Sequence, residues 1–330
     1  MRRWGAHLLL AVVVVAAACT TDSTPKRSAA SSPPATDTPH VIALAQDGQR
    51  LVVLSSQNGS EVGELWNAFD HGMPEGSLQV NGQRALVYDA AWQCAFTPSF
   101  EVDLASGSTQ ATEINRTISV SPDGTRVAYV DAEPRAESPN TCGHTALIVR
   151  DVATRVDRRW DLHATPETAE WVHLRVVGWS ADGGSLILGE SFWEGLAESF
   201  RRIDITSSGV IDDAPFIVPD PFGLPEQSEI QQVLAVVPDG LLALSSCWNP
   251  YPDQPPEICA GRHARVVLID DKGQTHDVGP VLGTFLDIDA SGSRILWLNY
   301  DSPTFRVDVA NRDGSDLRTL ATGYRDARWE

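Results

Sequence analysis

The segment Ile118-Ser119-Val120-Ser121-Pro122-Asp123-Gly124-Thr125-Arg126-Val127-Ala128-Tyr129-Val130 reads as two apolar strands joined by a tight turn. Asp-Gly supplies the positive φ that such a turn needs, and the apolar runs on either side are strand-like. The same hairpin returns at Val177-Gly178-Trp179-Ser180-Ala181-Asp182-Gly183 before Ser185-Leu186-Ile187-Leu188, and at Ala235-Val236-Val237-Pro238-Asp239-Gly240 before Leu241-Leu242-Ala243-Leu244. It returns again at Leu286-Asp287-Ile288-Asp289-Ala290-Ser291-Gly292 before Arg294-Ile295-Leu296-Trp297, and more weakly at Asn81-Gly82. Helical periodicity is nearly absent.

A second hairpin follows each of these. Its first strand is Phe100–Leu104, Ala146–Val149, Phe200–Asp204, Val266–Ile269 or Phe305–Val309, and its turns fall at Ser106-Gly107, Ser208-Gly209, Lys272-Gly273 and Asp313-Gly314. Four-stranded units repeated in series predict an all-β chain folded as a β-propeller. At the start, Gly48 and Gly59 are only 11 residues apart, against 22 between Gly292 and Gly314. Val41–Leu44 and Arg50–Leu54 therefore read as the second and third strands of a blade that lacks its first. The end of the chain, Arg325-Asp326-Ala327-Arg328-Trp329, matches Val177-Gly178-Trp179 and supplies that missing strand. The expectation is six four-stranded antiparallel blades over residues 40–330, closed by the C-terminal strand; seven is the alternative if Val41–Leu44 is itself a first strand. The phrase Ser121-Pro122-Asp123-Gly124-Thr125-Arg126-Val127-Ala128-Tyr129 resembles the WD40-like (PD40) repeat of the TolB-like propeller family. That resemblance implies an envelope binding module and names no partner.

Ahead of the propeller, Arg2 and Arg3 precede 11 apolar residues, Leu8–Ala18, and then Cys19. The run is shorter than the roughly 20 residues that span a bilayer and has the layout of a secretory signal peptide. Small residues before Cys19 resemble a bacterial lipobox, in which the cysteine thiol carries lipid. Residues 1–18 are thus expected to be a lipoprotein signal peptide. Residues 19–39 are expected to be a lipidated cysteine with a Ser/Thr/Pro tether, too poor in apolar residues to order itself. The implied location is extracytoplasmic, anchored to the cell membrane through lipid on Cys19; the alternative is a secreted protein cut after Ala18.

The formal charge is −19, with Lys26 and Lys272 the only lysines. Such an acidic chain argues against binding nucleic acid. Arg in place of Lys, with abundant Ala and Val, points to a GC-rich genome of the actinobacterial kind. Beyond Cys19 stand Cys94, Cys142, Cys247 and Cys259. Four cysteines in an exported domain allow three disulfide pairings. The short span from 247 to 259 favours Cys247–Cys259, which leaves Cys94–Cys142; the first would stabilise by about 3 kcal/mol in the chain-entropy picture.

Strands alternate in direction within a blade, so first and third turns lie on one face, second turns and inter-blade connections on the other. The first and third turns are short, and nearly all the extra length falls on the second face. Its loops carry Trp92, Phe192, Trp193, Glu194, Trp248, Tyr251, Tyr300 and Asp301, aromatics alternating with acids as in interfaces and pockets. Catalytic motifs are wanting. Gly178-Trp179-Ser180-Ala181-Asp182 lacks the final Gly of a nucleophile elbow, Asp287 and Asp289 read as solvated hairpin carboxylates, and no histidines share a ligand spacing. No cofactor or metal is expected. The leading expectation is a tethered module that binds a protein or envelope ligand. The alternatives are a hydrolase or lyase working at the central channel, and an accessory or sensor subunit of an envelope system.

Overall fold

The computed structural model describes residues 39–67, 76–89, 99–112, 118–134, 142–162, 172–192, 198–206, 209–217, 230–245 and 264–330. They form six blades around a central axis, the architecture expected from the repeats. Tyr324–Trp329 pairs antiparallel with His40–Ala45, and Arg50–Ser55 and Glu61–Asn67 complete blade 1 in that order. The register places Trp329 opposite Val41, Ala327 opposite Ala43 and Asp326 opposite Leu44. Blades 2, 5 and 6 are regular four-stranded sheets running outward in sequence order. Six blades, rather than seven, follow from this closure.

Why the middle strands read as unbroken apolar runs is now plain. A blade is sandwiched between two others, so both faces of its second and third strands are buried. Val41, Ala43 and Ala45 pack toward blade 6 with Leu296, Val307 and Trp329. Ile42 and Leu44, on the opposite face of the same strand, pack toward blade 2 with Leu78, Ala85 and Val102. Similar clusters join blades 3 and 4, blades 4 and 5, and blades 5 and 6. Each fully buried Leu, Ile or Phe in them contributes on the order of 2 kcal/mol.

The Ser-x-Asp-Gly signature is a self-contained turn. Gly124 (φ 70°) donates its N–H to the Ser121 carbonyl at 2.8 Å. The Ser121 hydroxyl donates to Asp123 at 2.6 Å and accepts the Arg126 N–H at 2.9 Å. Ser180, Asp182 and Gly183 repeat the arrangement in blade 4. Neither serine is poised as a nucleophile; both hydroxyls hold a turn together.

Blade 4 departs from the regular pattern. Only Val172–Trp179, Ser185–Phe192 and Glu198–Asp204 form its regular strands. The chain then crosses to blade 3, where Gly209 and Val210 pair parallel with Trp160 and Asp161. It makes one 3-10 turn at Ile211–Asp213 and returns to blade 4 through a bridge between Phe216 and Arg201. This strap covers the outer edges of two blades at once.

Candidate binding faces

Residue 40 begins the second strand of blade 1, so the chain enters the ring on the face of the short first turns. There His40 Nδ1 lies 3.1 Å from Glu330 Oε2, and the Glu330 N–H donates to the His40 carbonyl at 3.1 Å. The second turns of all blades emerge on the opposite face. Of the residues expected to form a binding surface there, Tyr300 and Asp301 are fully described. Tyr300 is 60% exposed, its ring 5.0 Å from that of Phe305. Arg306 bridges Asp301 and the buried Asp308, the latter at 2.9 Å. Gln46, from the neighbouring blade's turn, donates to the Pro303 carbonyl at 3.1 Å and buttresses the hairpin. Phe192 ends its strand opposite Val172, with its side chain outside the described residues. Trp92, Trp193, Glu194, Trp248 and Tyr251, and Cys19, Cys94, Cys247 and Cys259, also lie outside them; Cys142 is placed only by its backbone, opposite Pro134.

The central channel is lined by inner strands that do not pair with one another, and side chains stitch them instead. The Arg328 guanidinium donates to the carbonyls of Leu78 in blade 2, at 2.8 Å, and Leu286 in blade 6, and pairs with Asp326 at 3.1 Å. Asp326 accepts the Leu78 N–H at 2.8 Å, and Asp287 accepts the Trp329 N–H at 2.8 Å. Gln79 engages both the N–H and the carbonyl of Ile118 in blade 3. Burial pushes Asp287 up to about 6, against the pull of Arg328, and pushes Asp326 up as well. Asp287 is therefore not the solvated hairpin carboxylate that its sequence position implied. It sits on the inner strand, two residues before the turn begins at Asp289, and serves the ring's closure. No sequence signal separated it from Asp289, which is held below its ordinary range by amide and hydroxyl donors of its own turn despite partial burial.

Sequence reasoning also missed two cavities on the short-turn face. One, of about 640 Å³, lies between the edges of blades 3 and 4 and includes Trp160, Ile203 and Val210. The other, of about 730 Å³, lies between blades 4 and 5 and includes Phe216, Val236 and Leu241. Arg202 and Pro215 border both. The strap that separates them is irregular backbone without a repeat signature.

Comparison of the whole fold with solved structures is decisive at the level of architecture. TolB from Acinetobacter baumannii superimposes with a TM-score of 0.57 over 90% of this chain and 68% of its own, at 12% identity. This is a TolB-like propeller fold. A putative TolB from Agrobacterium tumefaciens gives a TM-score of 0.51 over 87% of this chain and 91% of its own, at 15% identity. A chain from a nidogen/laminin complex also gives 0.51, over 88% and 98%, at 9% identity. No family model matches the sequence, and no curated protein matches it. At such identities the likeness is one of fold.

Proposed function

We propose that this chain is a membrane-tethered, extracytoplasmic propeller that binds a protein or cell-envelope ligand through its loop-bearing face. The observation that carries this reading is topological. The chain enters and closes on the short-turn face, while the second turns and the strand ends that bound the long connections belong to the other. A rigid ring that presents loops of differing length from one end is a binding scaffold, and the TolB-like fold supports that class. Lipid on Cys19 would anchor the module through a tether that joins the ring on the short-turn side. In the described part of that face, exposed Tyr300 beside the Asp301–Arg306 pair has the amphipathic character of an interface.

Capture from solubilised membranes with the full-length chain, repeated with Trp193→Ala/Trp248→Ala, tests the reading. A partner retained by the parent chain and lost by the double variant is the expected result. Undiminished capture by the variant would remove the loop face from the account.

A further inference from the structure

The strap of blade 4 is built at some cost. Arg201 and Glu190 are each 7% exposed and paired at 2.6 Å, and burial raises the Glu190 carboxyl above its usual range. Arg201 Nη1 donates to the carbonyls of Asp212, at 2.9 Å, and Ala214, at 2.7 Å, and its guanidinium lies 3.8 Å from the Phe216 ring centroid. A buried ion pair contributes little net stability, yet this one fixes the backbone of residues 212–216. That backbone is the shared wall of the two cavities, with Pro215 at its crest and Phe216, 41% exposed, on one side.

The floors are apolar and the rims are acidic. Asp182, Asp204 and Asp213 border the first cavity, and Asp239, Asp270 and Asp271 the second. Among the described lining residues, the cations are Arg202 and Lys272. Arg312 neutralises Asp239, His276 contacts Asp270, and Asp182 and Asp204 accept from hydroxyls and amides of their own turns. Those hydrogen bonds leave the charge in place, so the rim keeps a carboxylate excess in a chain of charge −19. Each cavity is far larger than an ion or a single amine needs, and two side by side across one wall suit successive side chains of an extended segment.

From this we infer that the short-turn face of blades 3 to 5 is a second binding groove, and that its occupant is a basic segment of another protein. Cationic side chains meet the rim, and aliphatic side chains rest on the floors. Charge complementarity excludes acidic peptides and nucleic acid. The groove lies on the face opposite the proposed loop site and is independent of it.

Fluorescence anisotropy on the full chain, with a labelled peptide of alternating Arg and Leu at about 0.15 M salt, is the test. Asp213→Asn/Asp271→Asn is expected to weaken binding about tenfold and Arg202→Gln to tighten it about threefold. Phe216→Ala should weaken it without changing any charge. Asp47→Asn/Asp316→Asn removes the same charge elsewhere and should leave affinity within about twofold. Equal weakening by that control pair would reduce the effect to diffuse attraction and overturn the groove. Preference for the Glu–Leu counterpart peptide would overturn it too. Competition by a synthetic peptide of residues 20–38, which carries Lys26 and Arg27, would assign the groove to the chain's own segment and contradict a foreign partner.

Discussion

Asp287 shows how one carboxylate ties residue chemistry to ring closure. Its folded value of about 6 stands above the ordinary 3.8 because burial disfavours the charged form. The folded protein therefore holds this proton more tightly than the unfolded chain does. Its contribution to stability is fully present below about pH 4 and is lost as pH rises through about 6. At about 1.4 kcal/mol per unit, the swing is on the order of 3 kcal/mol. Asp287→Asn cannot titrate, so its melting temperature relative to the parent should rise steadily from pH 4 to pH 7. A difference that stays flat across thermal melts in that range would contradict this. At glycines the same scale separates two outcomes. A Cβ on Gly59 (φ 70°) would lie 1.6 Å from the Leu320 carbonyl oxygen, whereas one on Gly82 (φ 57°) meets nothing within 4 Å. Urea unfolding should find Gly59→Ala destabilised by about 3 kcal/mol or more and Gly82→Ala by about 1 kcal/mol. Similar losses at both would mean that backbone strain alone, and not the clash, governs them.

At the scale of elements, the closing strand is the joint on which the ring depends. Tyr324–Trp329 covers the edge of His40–Ala45 and buries Tyr324, Ala327 and Trp329 in the seam between blades 6 and 1. Removing residues 324–330 should leave an open strand edge and an apolar seam, and both invite association. Sedimentation should show dimers or larger species; a well-behaved monomer would contradict the role given to this strand. Arg328→Leu should cost about 3 kcal/mol in urea unfolding, because Asp326 stays buried without its partner, and a loss under about 1 kcal/mol would argue against the clasp. Much at this scale was legible in advance. The Asp-Gly turns, the lone hairpin at Gly48 and Gly59, and the match of Trp329 to Trp179 together gave blade number and closure. The strap of blade 4 was not legible, since two residues at Gly209 and a single bridge at Phe216 leave no periodic trace. Nor was the stitching of the channel, because Gln79, Asp287 and Arg328 act through neighbouring backbones that only the closed ring brings within reach.

For the whole molecule, alternating strand direction sorts chemistry onto two ends of the ring. One end receives the chain at His40 and holds the tight, carboxylate-capped turns; the other holds the described second turns and the strand ends that bound the long connections. Sequence spacing was enough to assign each turn to its end, because strand direction follows from counting. It could not show the cavities of the first end, which arise where the strap leans between blades and not from any motif. Tyr300 and Asp301 lie where the count put them, exposed and paired with Phe305 and Arg306. The proposed role puts the partner on the loop-bearing end. Site-specific photo-crosslinking in cells tests it most directly, with the crosslinker placed in turn at Tyr300 and at Leu317, an exposed residue of a short turn in the same blade. Position 300 should yield a discrete adduct and position 317 none. An adduct from 317, with none from 300, would contradict it.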